Sequence, residues 1–173
     1  MKNNHIKRLE RKKQTAEDFT PLPLVNEILD RLSLESNNSV WNEEETFIDP
    51  ACGNCNFLIE VLKRKLQRGH NPLKSISTIY GTDIMLDNIN EGRLRLIKTL
   101  SVYVKENKLP KPNPIEVLKI LKRNIKWTPL KNYPNGSLDY DFSFNDTMSD
   151  EEATKVLNKI RQEKLLDQVE VDR

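Results

Sequence analysis

The run Phe47-Ile48-Asp49-Pro50-Ala51-Cys52-Gly53-Asn54-Cys55-Asn56-Phe57-Leu58 constrains this chain more than any other stretch. An apolar pair leads into Asp49 and Pro50, and a turn with one glycine follows. Phe57, Leu58, Val61, Leu62 and Leu66 then recur at helical spacing. This is the end of a buried strand, a tight turn and the start of a helix, which Gly69 closes.

The same alternation continues downstream. Ile76 to Thr82 is β-rich and ends at Asp83, and a long charged helix is expected from Met85 to about Glu106. Its inner side is Ile89, Leu96, Ile97, Leu100 and Val104. After the proline-rich break at residues 108–114, Asn113, Pro114 and Glu116 read as N-cap, first helical position and capping-box acid. A short helix with Leu118 and Leu121 leads to a third strand over Asn124 to Thr128. Residues 129–148 read as irregular, with Pro129, Pro134 and Asn135-Gly136 as turn signals. Ser149 and Glu152 form a second capping box, before a helix with Ala153, Val156, Leu157 and Ile160 inward and a polar tail from Asp167.

Upstream, Thr20 is the expected N-cap of a helix with Pro21 at its first position. Leu24, Val25, Ile28, Leu29 and Leu32 form its apolar stripe, and residues 35–45 form a polar loop. Strands alternating with helices imply a parallel sheet, so the expected class is α/β. The expected organisation is a basic arm over 1–15, an α/β domain over 16–148, and a C-terminal helix and tail over 149–173.

Composition narrows the function classes. The 173 residues are 36% hydrophobic and 31% charged, with a net charge of +2, which by itself does not imply a nucleic-acid partner. The first 14 residues hold Lys2, Lys7, Arg8, Arg11, Lys12 and Lys13 against Glu10. They form either a phosphate-binding arm for DNA or a solvated terminus. No apolar run approaches membrane-spanning length, so no membrane partner is expected. Two cysteines make no disulfide framework, and a cytoplasmic location is expected.

Three chemistries fit the central turn. In a parallel α/β sheet, ligands bind outside the C-terminal strand ends beside helix N-termini. Asp49 and Asp83 end the first two strands, and Gly53 lets backbone approach a ligand closely. Asp83, ending the second strand, is where a ribose-binding acid belongs; it stands 34 positions beyond Asp49, longer than the usual gap of about 20 residues because a longer helix and loop intervene. Alternatively, Cys52-Gly53-Asn54-Cys55 at a helix N-terminus fits a redox Cys-x-x-Cys, although no aromatic residue precedes Cys52. A zinc site wants about four ligands, and only His5 and His70 remain as partners, so no metal site is expected.

The stretch Asp49-Pro50-Ala51-Cys52-Gly53-Asn54-x-Asn56-Phe57-Leu58 closely resembles the cofactor loop of S-adenosylmethionine-dependent DNA adenine methyltransferases of restriction–modification type. Phe19-Thr20-Pro21 resembles the family's upstream motif, and Tyr80-Gly81-Thr82-Asp83-Ile84 its second-strand motif. The resemblance covers roughly residues 16–145. It implies a partial Rossmann-like methyltransferase fold with about three parallel strands. It also implies an S-adenosylmethionine site: Phe19, Thr20, Pro21, Asp49, Pro50, Ala51, Cys52, Gly53, Asn56 and Phe57 around the methionine part, Asp83 on the ribose and Ile84 on the adenine.

The chain departs from the family in three places. Cys55 replaces the second loop glycine, and its side chain is expected to crowd the cofactor and weaken its binding. The acid after the third strand has only Asp139 or Asp141 as candidates. The catalytic (Asn/Asp)-Pro-Pro-(Tyr/Phe) is missing, since the chain has no Pro-Pro; Asn71-Pro72 and Asn113-Pro114 read as helix-start or loop chemistry. No catalytic residue is assigned, and no fourth strand is evident. The expectation is an inactive binding or regulatory module, a pseudoenzyme that joins a methyltransferase-type protein or forms a homo-oligomer. The alternatives are an active methyltransferase or cofactor-degrading enzyme, and a redox protein.

Overall fold

Three short strands pair in parallel to form the centre of the protein. The computed structural model describes residues 19–128, 131–132, 138–139 and 144–171. Helix α1 (Leu22–Glu35) is followed by a 3₁₀ turn (Ser39–Trp41), β1 (Phe47–Asp49), α2 (Asn56–Gln67), α3 (Pro72–Ser77) and β2 (Ile79–Asp83). Then come α4 (Leu86–Glu106), α5 (Pro114–Asn124), β3 (Ile125–Trp127), β4 (Lys131–Asn132), β5 (Leu138–Asp139) and α6 (Asp150–Val171).

The main sheet has the order β1-β2-β3, with Phe47 opposite Ile79 and Gly81 opposite Ile125. This is the expected α/β class, a parallel sheet flanked by helices. β4 and β5 pair only with each other, antiparallel, so among the described residues no fourth strand joins the main sheet. That pair lies where the sequence reads as irregular, since two-residue strands carry no alternation to detect. The basic arm, Asp141, Pro129, Pro134 and Asn135-Gly136 lie outside the described residues.

Helix α2 is the hub. It packs against α1, α3, α4 and both β1 and β2. It therefore buries more than one stripe: Glu60 and Lys65 are buried alongside Leu58, Ile59, Val61, Leu62 and Leu66. A hydrophobic pattern cannot show this. Lys65, 0% exposed, donates from Nζ to the carbonyls of Glu43 (3.2 Å) and Glu45 (2.7 Å) and to Thr78 Oγ1 (2.9 Å). It fastens the segment that leads into β1.

Local capping fixes several boundaries. Asn71 Oδ1 accepts from the Leu73 and Lys74 N–H groups, and Asn113 Oδ1 accepts from Ile115 N–H. Both Asn-Pro pairs are helix starts. The Asn71 cap carries Ile76 and Ser77 into α3 rather than the expected strand, because a capped turn outweighs the β propensity of a short run. Ser149 and Glu152 exchange both capping-box bonds, at 2.9 and 3.2 Å. Thr20 is not a cap: Pro21 takes that position without a side-chain bond, and the Thr20 carbonyl accepts from Asn56 Nδ2 (3.2 Å).

Two apolar stripes are narrower than expected. On α1 only Val25 and Leu29 are buried, and Leu24 and Ile28 are exposed. On α6 Ala153 is buried whereas Val156 is exposed, with α5 as the helix's main packing partner among the described residues. Helix α6 runs through the polar tail to Val171. Among the described residues, no helix is long and apolar enough to cross a membrane.

Candidate functional site

The turn between β1 and α2 is held from four directions. Asp49 Oδ1 accepts from Ala51 N–H (3.1 Å), which bends the chain out of the strand. Cys52 N–H donates to the Thr82 carbonyl (2.9 Å), and Thr82 Oγ1 donates to the Pro50 carbonyl (2.8 Å). Gly53 N–H donates to Asp83 Oδ2 (2.9 Å). From α4, Arg95 Nη1 donates to the Asn54 carbonyl (2.6 Å), and Glu91 Oε1 accepts from Asn54 Nδ2 (3.2 Å). The turn is thus a rigid shelf at the C-terminal ends of β1 and β2.

Asp83 is the knot of this arrangement. Its Oδ1 accepts from Met85 N–H (2.8 Å) and Asn88 Nδ2 (3.4 Å), while Oδ2 takes Gly53 N–H. One carboxylate therefore joins the turn, the end of β2 and the start of α4. Asp83→Asn replaces one acceptor oxygen with a donor that faces an N–H group. It is expected to lower stability by about 2 kcal/mol, read from urea unfolding. A loss below about 0.5 kcal/mol would mean that the turn holds without it.

Two residues in the turn adopt left-handed backbone. Gly53 has φ +51°, and a Cβ there would lie 3.0 Å from the Phe19 ring. Cys55, the N-cap of α2, has φ +66°. Its side chain is turned away from the turn's open side. It is 0% exposed, and a Cβ on Gly92 of α4 would lie 2.5 Å from its Sγ. The thiol that reads in sequence as an obstruction instead fills the notch at Gly92. This is possible because the left-handed residue directs its Cβ toward α4.

Both cysteines are free and buried, with their Sγ atoms 3.8 Å apart. The Cys52 thiol is pushed far above its ordinary range by its hydrogen bond with Cys55, then by burial and the nearby carboxylates. Exchange chemistry needs an accessible thiol of lowered pKa; Cys52 is 6% exposed and its thiol is shifted the other way. Among the described residues, no group of three or more His, Cys, Asp or Glu could hold a metal ion.

Above the shelf lies a cleft of about 580 Å³. Its walls bring together Phe19, Thr20, Asp49, Pro50, Ala51, Cys52, Gly53, Asn56, Phe57, Asp83 and Ile84. These are all the sequence-assigned residues except Pro21, which heads α1 outside the lining. Ile28, Ile48, Asn54, Met85 and Asn88 complete it. Of these, Ile48 had a legible signal: in a strand it must face away from Phe47 and Asp49. Ile28 reads as core, and Asn88 carries no local signature at all. Asp139 lies in β5, and at the end of β3 Trp127 Nε1 donates to the Ile84 carbonyl (3.0 Å).

The cleft has a definite electrostatic sign. Among the described residues, Asp49 and Asp83 line it, and no Lys, Arg or His does. Burial raises the Asp49 pKa, the Ala51 N–H opposes that rise, and the Asp83 charge adds to it. No family model, no curated protein and no solved structure matches the chain.

Proposed function

We propose that this chain is a methyltransferase-like module that binds S-adenosylmethionine in the β1–α2 cleft and serves as a binding or regulatory component, without methylating DNA itself. The observation that carries this reading is the chemistry of the cleft walls. Among the described residues, two carboxylates, several amide side chains and apolar faces line it, with no cationic side chain. A phosphate-bearing nucleotide would meet like charge there with no counter-cation. A ligand with a sulfonium and an ammonium group, a ribose diol and an adenine ring suits those walls.

In this reading Thr20, Pro21 and the turn from Asp49 to Phe57 hold the methionine part, Asp83 takes the ribose hydroxyls and Ile84 covers the adenine. When bound, the cofactor supplies an electrophilic methyl group. The residues of this chain bind and orient it, and the sequence provides no (Asn/Asp)-Pro-Pro-(Tyr/Phe) to position an acceptor amine. The partner side of the proposal is a methylase-type protein, with DNA contacted through the basic residues 1–15.

Calorimetric titration tests the cofactor. S-adenosylmethionine is expected to bind saturably, and ATP and NAD are not. Asp49→Asn is expected to weaken binding by about tenfold. Cys55→Gly is expected to leave it unchanged within about twofold, since the thiol does not reach the cleft. Equal or tighter binding of ATP would overturn the reading. Turnover of labelled cofactor by the chain alone would favour an enzyme instead.

A further inference from the structure

Ile48 stands in a gap in the burial of the sheet. By register and alternation, Ile48, Tyr80, Thr82 and Lys126 share one face. Thr82 and Lys126 are buried, and Tyr80 is half-buried with the Phe144 ring 4.9 Å away. Ile48 is 57% exposed. Parallel strands are normally covered on both faces, and among the described residues Ile48 is the most exposed of the four on this face.

Among the described residues, β1 is one of the two sheet edges and is bonded to β2 alone. Phe47 N–H donates to the Thr78 carbonyl (2.9 Å), so ladder alternation turns the Ile48 N–H and C=O to the open side. Such an edge is a template for another strand. Among the described residues the chain has none to offer: β4 and β5 pair with each other. Ile28, 44% exposed, lines the same cleft as Ile48 and extends the apolar surface.

Charge selects the occupant. Glu43, Glu44 and Glu45 lead into β1 and Asp49 ends it. Glu44 pairs with Lys74, Glu43 accepts from Asn71 N–H, and Lys65 Nζ lies against the Glu43 and Glu45 carbonyls, which leaves Glu45 and Asp49 as the acids flanking Ile48. A second copy would pair antiparallel about Ile48. Glu45 of each copy would then lie diagonal to Asp49 of the other, a like-charge contact. A strand with basic residues has no such conflict.

We propose that the β1 edge, centred on Ile48, takes an extended strand from a partner polypeptide, with an apolar residue beside Ile48 and Lys or Arg on either side of it. The inference deepens the partner half of the proposed function; because Ile48 and Ile28 also line the cleft, the test is made without cofactor. Main-chain bonds would supply affinity, and the charges would supply selection.

The test uses the full chain and the heptapeptide Lys-Thr-Lys-Val-Lys-Thr-Lys, with its glutamate counterpart as control, followed by amide NMR without cofactor. The basic peptide is expected to bind saturably, to protect the Ile48 N–H from exchange, and to outcompete the acidic one. Ile48→Pro removes only an N–H on the open side and spares the bonds to β2. It is expected to weaken binding by about tenfold. Ile48→Lys, which keeps the N–H, is expected to weaken it through charge. Equal binding by wild type and both variants overturns the proposal. A concentration-dependent dimer lost in Ile48→Pro would assign the edge to a second copy and overturn it. Ile48 protection without peptide, lost on deletion of residues 1–15, would assign the edge to the chain's own arm and also overturn it.

Discussion

Gly81→Val is expected to destabilise the chain by about 3 kcal/mol, although β propensity alone favours valine in a strand. Gly81 sits in the middle of β2, opposite both Asp49 and Ile125. A Cβ there would lie 2.7 Å from Leu58 Cδ1, 3.0 Å from Cys52 Sγ and 3.1 Å from Cys52 Cβ. Neither neighbour has room to retreat, because both are buried in the core cluster. Relief requires moving Cys52, whose N–H is bonded to the Thr82 carbonyl. The damage therefore reaches the shelf beneath the cleft. Urea unfolding of wild type, Gly81→Val and Leu58→Ala/Gly81→Val checks this. The double variant is expected to recover about 1 kcal/mol or more relative to additivity. Strict additivity would refute the packing argument.

The second large effect is centred on Lys65. Lys65→Ala is expected to lose about 3 kcal/mol at neutral pH, since it deletes a fully buried stem and the donor of three hydrogen bonds. Lys65→Met keeps the stem and should lose less. Burial lowers the Lys65 pKa to about 8 from 10.5, against the opposing pull of Glu45 and Glu43. Between these values the unfolded chain holds a proton that the folded chain has released, so stability rises with pH. The stability of wild type minus that of Lys65→Met is expected to grow by up to about 3 kcal/mol over this window. The raised Cys52 thiol acts in the opposite sense, because folding holds its proton and stability falls as the unfolded thiol ionises. It is common to both proteins and cancels in the difference. A flat difference from pH 8 to pH 10.5 would show that Lys65 keeps an ordinary pKa in the fold.

Sequence alone determined the α/β class, the parallel alternation and the place of the central turn. Those follow from periodicity, caps and glycine, which act within a few residues of one another. Asn113 was legible as a helix start for the same local reason. Strand and turn order placed Asp49, Gly53 and Asp83 at one end of the sheet, and the resemblance supplied the other assigned residues.

Tertiary structure decided the rest. The burial of Lys65 depends on carbonyls 20 and 22 positions away, which no periodic pattern encodes. The direction of the Cys55 thiol depends on a notch at Gly92, and the need for Gly81 depends on Leu58 and Cys52. The exposure of Ile48 depends on which strand becomes the edge. Each is set by which elements pack together, and local propensity does not specify that choice.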